Sequence, residues 1–331
     1  MINMKILFVG DVMLGRLVDG ILREYPASYI WGDTLPVFKN ADIKICNLEC
    51  VIAKGGKPWP GKTFHFRTSP KNVKVLNVAS FSPVSVANNH TMDFGPGALS
   101  EMIKILKNES INFAGAGADI VEASMPALEN GAGNYVGMIS FCDDMQNWQA
   151  KENKPGIFYV PTSLKDKRAK NLIDLLQKTR DDVKTLIVSA HWGSNWGYEV
   201  PKSHIPFAHA LVDAGADIIF GHSGHVFRGI EIYKGKPIIY CAGNFIDDYA
   251  VSEDERNDES FIFIVDVKGK KIAKLTAIPT IIENCQALLA KGERAKTIAR
   301  KMQDLSQKFK TNFRMNKTNY RLTINIKRHS I

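Results

Sequence analysis

The chain has 331 residues, 45% hydrophobic and 23% charged, with a formal net charge of +9. This is ordinary globular composition, enough for one large α/β domain or two average ones. No stretch approaches the roughly 20 apolar residues needed to span a bilayer, and five scattered cysteines make no disulfide framework, so no membrane span and reduced thiols are expected.

In MINMKILFVGDVMLGR the apolar run Ile6 to Val9 stops at Gly10 and Asp11. It is too short for a signal peptide and no small-residue cleavage site follows, so it reads as a first strand of a cytoplasmic protein. Runs rich in β-branched residues recur at 5 to 11, 43 to 49, 83 to 90, 185 to 193, 217 to 225 and 237 to 244. Each ends in polar residues, as buried strands of a sheet covered on both faces do. Between them, Leu99, Met102, Ile103 and Leu106 share one helix face, as do Leu172, Ile173, Leu175 and Leu176. SHIPFAHALVDAGAD reads as a third helix stopped at Gly215. Strand and helix alternation implies βαβ units.

Further along, GIEIYKGKPIIYCAGN and ESFIFIVDVKGKKIAKLTAIPT read as hairpins, expected to build a second, antiparallel sheet. The acidic stretch DDYAVSEDERNDES between them reads as an exposed loop. After Pro279, Ala295, Ile298, Ala299, Met302, Leu305 and Phe309 form an apolar stripe on a basic helix, and YRLTINIKR reads as an edge strand. From Lys270 onward there are fifteen Lys and Arg against three Asp and Glu, net +12, so the first 269 residues carry −3 of the total +9. The basic tail reads either as the solvated face of a docked helix or as a polyanion-binding element.

The polar residues at strand ends carry the chemistry. Asp11, Glu49, Asn89 with His90, His191, and His222 with His225 all fall where ligands bind in open α/β sheets. Any one of them alone is an ordinary cap or turn residue. Together they point to a shared metal site, and the mixture of oxygen and imidazole donors suits Mn, Zn or Fe rather than Ca. Two such ions about 3.5 to 4 Å apart generate a hydroxide nucleophile and stabilise both oxygens of an in-line displacement. Cys46 and Cys50, which bracket NLE, read as metal ligands or, better, as small core residues.

The segments GDVMLGR, NLE, ANNHTMDFG, HWG, GHSGHVFRGIE and CAGNF, in this order over residues 10 to 245, resemble the CapA family of capsule and poly-γ-glutamate biosynthesis, a branch of the calcineurin-like metallophosphoesterase superfamily. The resemblance implies a four-layer α/β/β/α sandwich with two central mixed sheets over residues 1–282, followed by a basic extension over 283–331. It implies metal ligation by Asp11, Glu49 (the bridging carboxylate), Asn89, His191, His222 and His225, with one or two divalent ions. His90 matches the catalytic histidine, and Asp93 is expected to orient it. Three departures stand out. Met13 occupies the place of a first-motif histidine, the last two histidines are three residues apart rather than two, and Gly224 replaces a proline usual in CapA relatives.

Asn47 and Asn244 line the site or serve as turn residues, while Arg16, His65, Arg67 and Arg228 contact an anionic substrate or form surface ion pairs. Trp192, Trp196 and Tyr198 wall the pocket or pack the loop after His191. The expected function is hydrolysis of a phosphoester or related anionic bond. Hydrolysis or transfer at a γ-glutamyl amide, or a non-catalytic metal-binding role in synthesis or export of an anionic polymer, stand beside it. Expected partners are an anionic small molecule or polymer and capsule-synthesis proteins; no nucleic-acid motif is present.

Overall fold

Period-two alternation along the first strand divides its apolar residues between two cores. In a computed structural model, which describes residues 3–326, β1 spans Asn3–Val12. Its Ile6 and Phe8 face one cluster and Leu7 and Val9 face another. β1 runs parallel to β2 (Ile43–Leu48) and antiparallel to Glu259–Lys268 in a ten-stranded mixed sheet. A second, six-stranded mixed sheet has four parallel strands at its centre: Asn134–Cys142, Thr185–His191, Ile218–His222 and Lys236–Ile239.

The two sheets share one apolar cluster. Phe8, Ile45 and Phe263 of the first pack with Met138, Ile187 and Phe220 of the second, and the rings of Phe8 and Phe220 lie 5.1 Å apart. Helix Gly95–Asn108 buries Leu99, Met102, Ile103 and Leu106, the expected stripe, in the cluster beside the first sheet. Helices Lys167–Arg180 and His204–Asp213 cover the second through Leu172, Leu176, Phe207 and Leu211. The first of these starts at Lys167 because the Asp166 carboxylate accepts from Arg168 N–H and caps it.

Several expectations change. The run at 83 to 90 is strand only at Val84–Ser85, and Val86 to His90 is loop: the Asn88 side chain donates to Asn47 Oδ1 and accepts from His90 N–H, turning the segment instead of continuing a ladder. Strand Asn134–Cys142, central to the second sheet, escaped the sequence reading. The two hairpins lie in different sheets: Ile230–Tyr233 with Lys236–Ile239 joins the second, whereas Glu259–Lys268 with Lys271–Glu283 extends the first beside β1. The tight turn of the former has both Lys234 and Gly235 at positive φ, the geometry that matches strand twist.

The acidic stretch is exposed only in its middle; Asp247, Asn257, Asp258 and Glu259 are buried. Ion pairing explains part of this, since Arg256 bonds Asp258 at 2.7 Å and Arg294 reaches the same carboxylate. The basic helix is Gly292–Gln307, and its Ala295, Ile298, Ala299 and Met302 enter the cluster between the sheets. Gln286–Leu289 and Leu322–Asn325 both pair with Lys271–Glu283. The short strand Arg314–Met315 lies outside the latter, so it is not the edge; Lys327 and Arg328 of that expectation fall outside the described residues. Among the described residues no helix is long and apolar enough to cross a membrane.

Candidate metal centre

Asp11 stands at the carboxyl end of β1, between Asn47 of β2 on one side and Asn244 of strand Asn244–Ile246 on the other. Its backbone N–H donates to Gly243 O at 3.0 Å. This close approach requires Gly10: a Cβ there would lie 1.8 Å from Gly243 O. Asn47 Nδ2 donates to Asp11 Oδ1 at 2.7 Å, and Asn88 Nδ2 donates to Asn47 Oδ1 at 3.1 Å. Asn88 Oδ1 in turn accepts from His90 N–H at 3.0 Å. A chain of amides thus ties the loop carrying Asn89 and His90 to the tip of the first sheet.

The second sheet meets this edge with its histidines. His191 and His222 end adjacent parallel strands in register, with their Nδ1 atoms 2.9 Å apart. Ser189 Oγ lies 2.8 Å from His222 Nε2. Ligand atoms of Asp11, His191 and His222 lie within 4.8 Å of one another, all buried. Glu49 Oε1 is 4.0 Å from His191 Nε2. His225 lies to one side, its Nδ1 3.1 Å from Asn244 Oδ1 and its ring edge-on to Trp196 and Tyr249.

Buried polar atoms without a hydrogen-bond partner here include Asp11 Oδ2, Glu49 Oε2, Asn89 Oδ1 and His191 Nε2, and also Asn244 Nδ2 and Asp247 Oδ2. Leaving such atoms unpaired costs on the order of 1–3 kcal/mol each, more when charged, and a cation held at the Asp11, His191 and His222 cluster would offset part of that cost. Protonation states agree. Burial pushes the Asp11 carboxyl up to about 7, and burial together with Asp11 and Asp247 pushes Glu49 up. Burial lowers His222 to about 3 and, with His222 beside it, pulls His191 well down, so both imidazoles are neutral; His191 Nε2 is the ring nitrogen left without a partner.

Beside the donors lies a cleft of about 490 Å³ lined by Arg16, Lys62, Phe64, Phe66, Asn89, His90, Trp196, His225 and Tyr249 among others, a volume suited to a small ligand. His90 stacks on Phe66 with 3.9 Å between centroids, and its Nδ1 lies 2.6 Å from Asp93 Oδ2. Asp93 also bonds Lys62 Nζ at 2.5 Å and Phe66 N–H at 2.6 Å. Lys62 reaches the Asn89 carbonyl as well. Burial holds His90 down at about 4 against the opposing pull of Asp93.

The remaining sequence candidates separate. Arg16 is at the cleft and pairs with Asp248 at 3.4 Å. Arg67 lies over the Phe94 ring at 4.4 Å, and His65 bonds Trp59 O at 2.8 Å. Arg228 is a correction: it is fully buried and donates to the carbonyls of Ser194, Trp196 and Gly197, because a loop folded over a guanidinium satisfies three carbonyls at once. It shapes the loop after His191 and does not face the cleft. Trp196 lines the cleft, whereas Trp192 is buried with its N–H on Tyr240 O and Tyr198 packs against Phe227. Met13 is buried, its sulfur accepting from Gly15 N–H at 3.0 Å. Cys46 and Cys50 are buried core residues whose thiols are pushed up by burial, Cys50 to about 12. Sequence reasoning missed Lys62, Asn88, Asp247 and Tyr249. Asn88 and Asp247 carried the strand-end signal; Lys62 and Tyr249 carried none.

Comparison with known proteins adds a lineage. Residues 5–249 match the family model described as "Bacterial capsule synthesis protein PGA_cap". A "Probable polyglutamine synthesis accessory protein" of Mycobacterium tuberculosis is 34% identical, over 74% of this chain and 74% of its own. "PGA biosynthesis protein CapA" of Bacillus subtilis is 29% identical over 73% of this chain and 62% of its own. "Capsule biosynthesis protein CapA" of Bacillus anthracis is 28% identical over 83% and 66%. Among solved structures, a hypothetical protein from Thermus thermophilus aligns with a TM-score of 0.46 at 13% identity, over 86% of this chain and 96% of that one.

Proposed function

The chain belongs to the PGA_cap family of bacterial capsule synthesis proteins, and from that premise we propose that it is a divalent-metal-dependent hydrolase of a phosphoester or related anionic bond. The observation that carries this reading is the buried cluster of ligand atoms of Asp11, His191 and His222, from two sheets and within 4.8 Å of one another, with Glu49 Oε1 4.0 Å from His191 Nε2. Asp11, Glu49, Asn89, His191 and His222 would hold the cation, with His225 at the cleft side. The shared inter-sheet cluster and the helices on the two outer faces support a four-layer sandwich. In this reading residues 1–282 form the working body and 283–331 an extension.

When bound, Mn, Zn or Fe lowers the pKa of water and offsets charge on the oxygens of the bond that breaks. The protein's own residues do the rest. Asp93 Oδ2 accepts from His90 Nδ1–H, so neutral His90 presents a lone pair at Nε2 toward the cleft. His90 takes the proton of the attacking water there and Asp93 stabilises the imidazolium that forms; the departing oxygen, on the far side of an in-line displacement, takes its proton from solvent. Lys62 fixes Asp93 in place. Arg16 and Lys62 bring positive charge to the cleft, which favours an anionic substrate.

The named roles of the relatives favour a second reading, a γ-glutamyl amide as the bond attacked, since the same site can act on a carbonyl. Purified protein loaded with Mn should hydrolyse bis-p-nitrophenyl phosphate faster than γ-glutamyl-p-nitroanilide; the reverse order favours the amide. No retained metal, together with unchanged activity in folded Asp11→Asn and His191→Ala variants, would falsify both. Metal retention with neither substrate consumed points to an accessory role in handling an anionic polymer alongside capsule-synthesis proteins.

A further inference from the structure

Strand Asn244–Ile246 is tied to β1 at its end, where Met13 N–H donates to Ile246 O at 2.9 Å. The chain then turns: Tyr249 N–H donates to Asp247 Oδ1 at 3.0 Å, a local bond that fixes where Tyr249 joins the lining of the cleft.

Five of the residues lining the cleft are rings in continuous contact. His90 stacks on Phe66 with 3.9 Å between centroids, and Phe66 meets Tyr249 at 5.7 Å. Tyr249 meets His225 edge-on at 5.0 Å, and His225 meets Trp196 at 5.0 Å. Tyr249 stands in the middle of this row, held by a ring on each side. Its two histidine relatives in the row have partners, His90 Nδ1 with Asp93 and His225 Nδ1 with Asn244. The Tyr249 hydroxyl has none among the described residues, although it is buried.

A phenol keeps its proton at neutral pH, so the middle of the row holds a donor without an acceptor. Leaving it so costs about 1–3 kcal/mol. The same cleft carries the cations Arg16 and Lys62, and an anionic oxygen drawn in by them would supply the acceptor. We propose that Tyr249 binds the substrate, its hydroxyl donating a hydrogen bond to an oxygen of the anionic group that belongs neither to the attacking water nor to the departing group. No proton is transferred. The proposal rests on the hydrolase reading above and adds to it a contact on the side of the cleft away from His90.

Tyr249→Phe tests it, because that change removes one oxygen and leaves the row of rings in place. In manganese-loaded protein, inorganic phosphate should bind the variant about 10- to 100-fold more weakly by isothermal titration calorimetry, the range expected for a hydrogen bond to a charged group. The kcat/KM for bis-p-nitrophenyl phosphate should fall by a similar factor, while manganese content and circular dichroism match wild type. Unchanged phosphate affinity overturns the proposal, as does an unchanged kcat/KM or a loss of manganese large enough to account for both decreases. Phosphate bound through Tyr249 by a protein that hydrolyses neither model substrate overturns the hydrolase reading and leaves the contact standing. A wild type that retains manganese but neither binds phosphate nor cleaves the diester overturns both.

Discussion

The first sheet brings oxygen donors to the site and the second brings imidazoles, and the two edges differ in how far their own donors are already paired. Asp11 and Glu49 are raised by burial because ionising them there is unfavourable, and each has an open oxygen. His191 and His222 are neutral and already bonded to one another and to Ser189. The oxygen edge therefore gains most from a cation, and the imidazole edge is the more self-sufficient half. Donor chemistry, burial and hydrogen bonding together make this division, since neutral imidazole tolerates a dry site and carboxylate does not.

The sharpest break of that contrast is Asp11→Asn against His222→Ala. Asp11→Asn should lower retained metal beyond the ~10–100-fold that loss of an outer hydrogen-bond partner causes, and His222→Ala should lower it less; equal losses, measured by elemental analysis, would erase the distinction between the edges. Next in size, His90→Gln should reduce turnover by about 10²–10⁴ with metal content unchanged. A parallel loss of metal would move His90 into the ligand set.

The core that holds both edges together offers a third comparison. Ile298→Ala, in the basic helix, should cost about 2–5 kcal/mol in chemical denaturation without selective loss at either edge. Behind the imidazole edge, His204 is fully packed against Trp192, and burial, then Arg228, hold it down at about 4. Its folded value lies below the ordinary 6.5, so its contribution is present above 6.5 and is lost as the pH falls through about 4, roughly 3 kcal/mol at the limit. Asp11, Asp143 and Asp247 are raised to about 7, 6 and 7 by burial and act in the opposite direction. The difference between wild type and His204→Gln isolates the histidine. Wild type should lose stability relative to the variant between pH 6.5 and 4, and superimposable profiles would remove His204 as a source of acid sensitivity.

Much of this architecture was legible in the chain. Strand ends closing on Asp11, Glu49, His191 and His222 could be read because a buried strand is a continuous apolar run and its ligands follow the last apolar residue. The stripes of Gly95–Asn108 and Gly292–Gln307 were legible for the same reason of period. Asp247 was not, although it too follows a strand: an acidic stretch reads as solvated, and only pairing of Ile246 with Val12 brings it inside. Lys62 lies in a loop without periodicity, and its bond to Asp93 joins residues thirty-one apart. Arg228 read as a surface cation because nothing local shows the carbonyls folded around it.

By itself the sequence determined which residues end strands, which faces are apolar and which donors are available, since these depend on local periodicity and side-chain type. Tertiary structure alone decided which strands are neighbours, and so which donors face one another: Asp11 against His222, and Glu49 against His191. The reason is physical. Hydrogen-bond register between distant segments and the desolvation it imposes are properties of the assembled sheets, and no stretch of chain carries them alone.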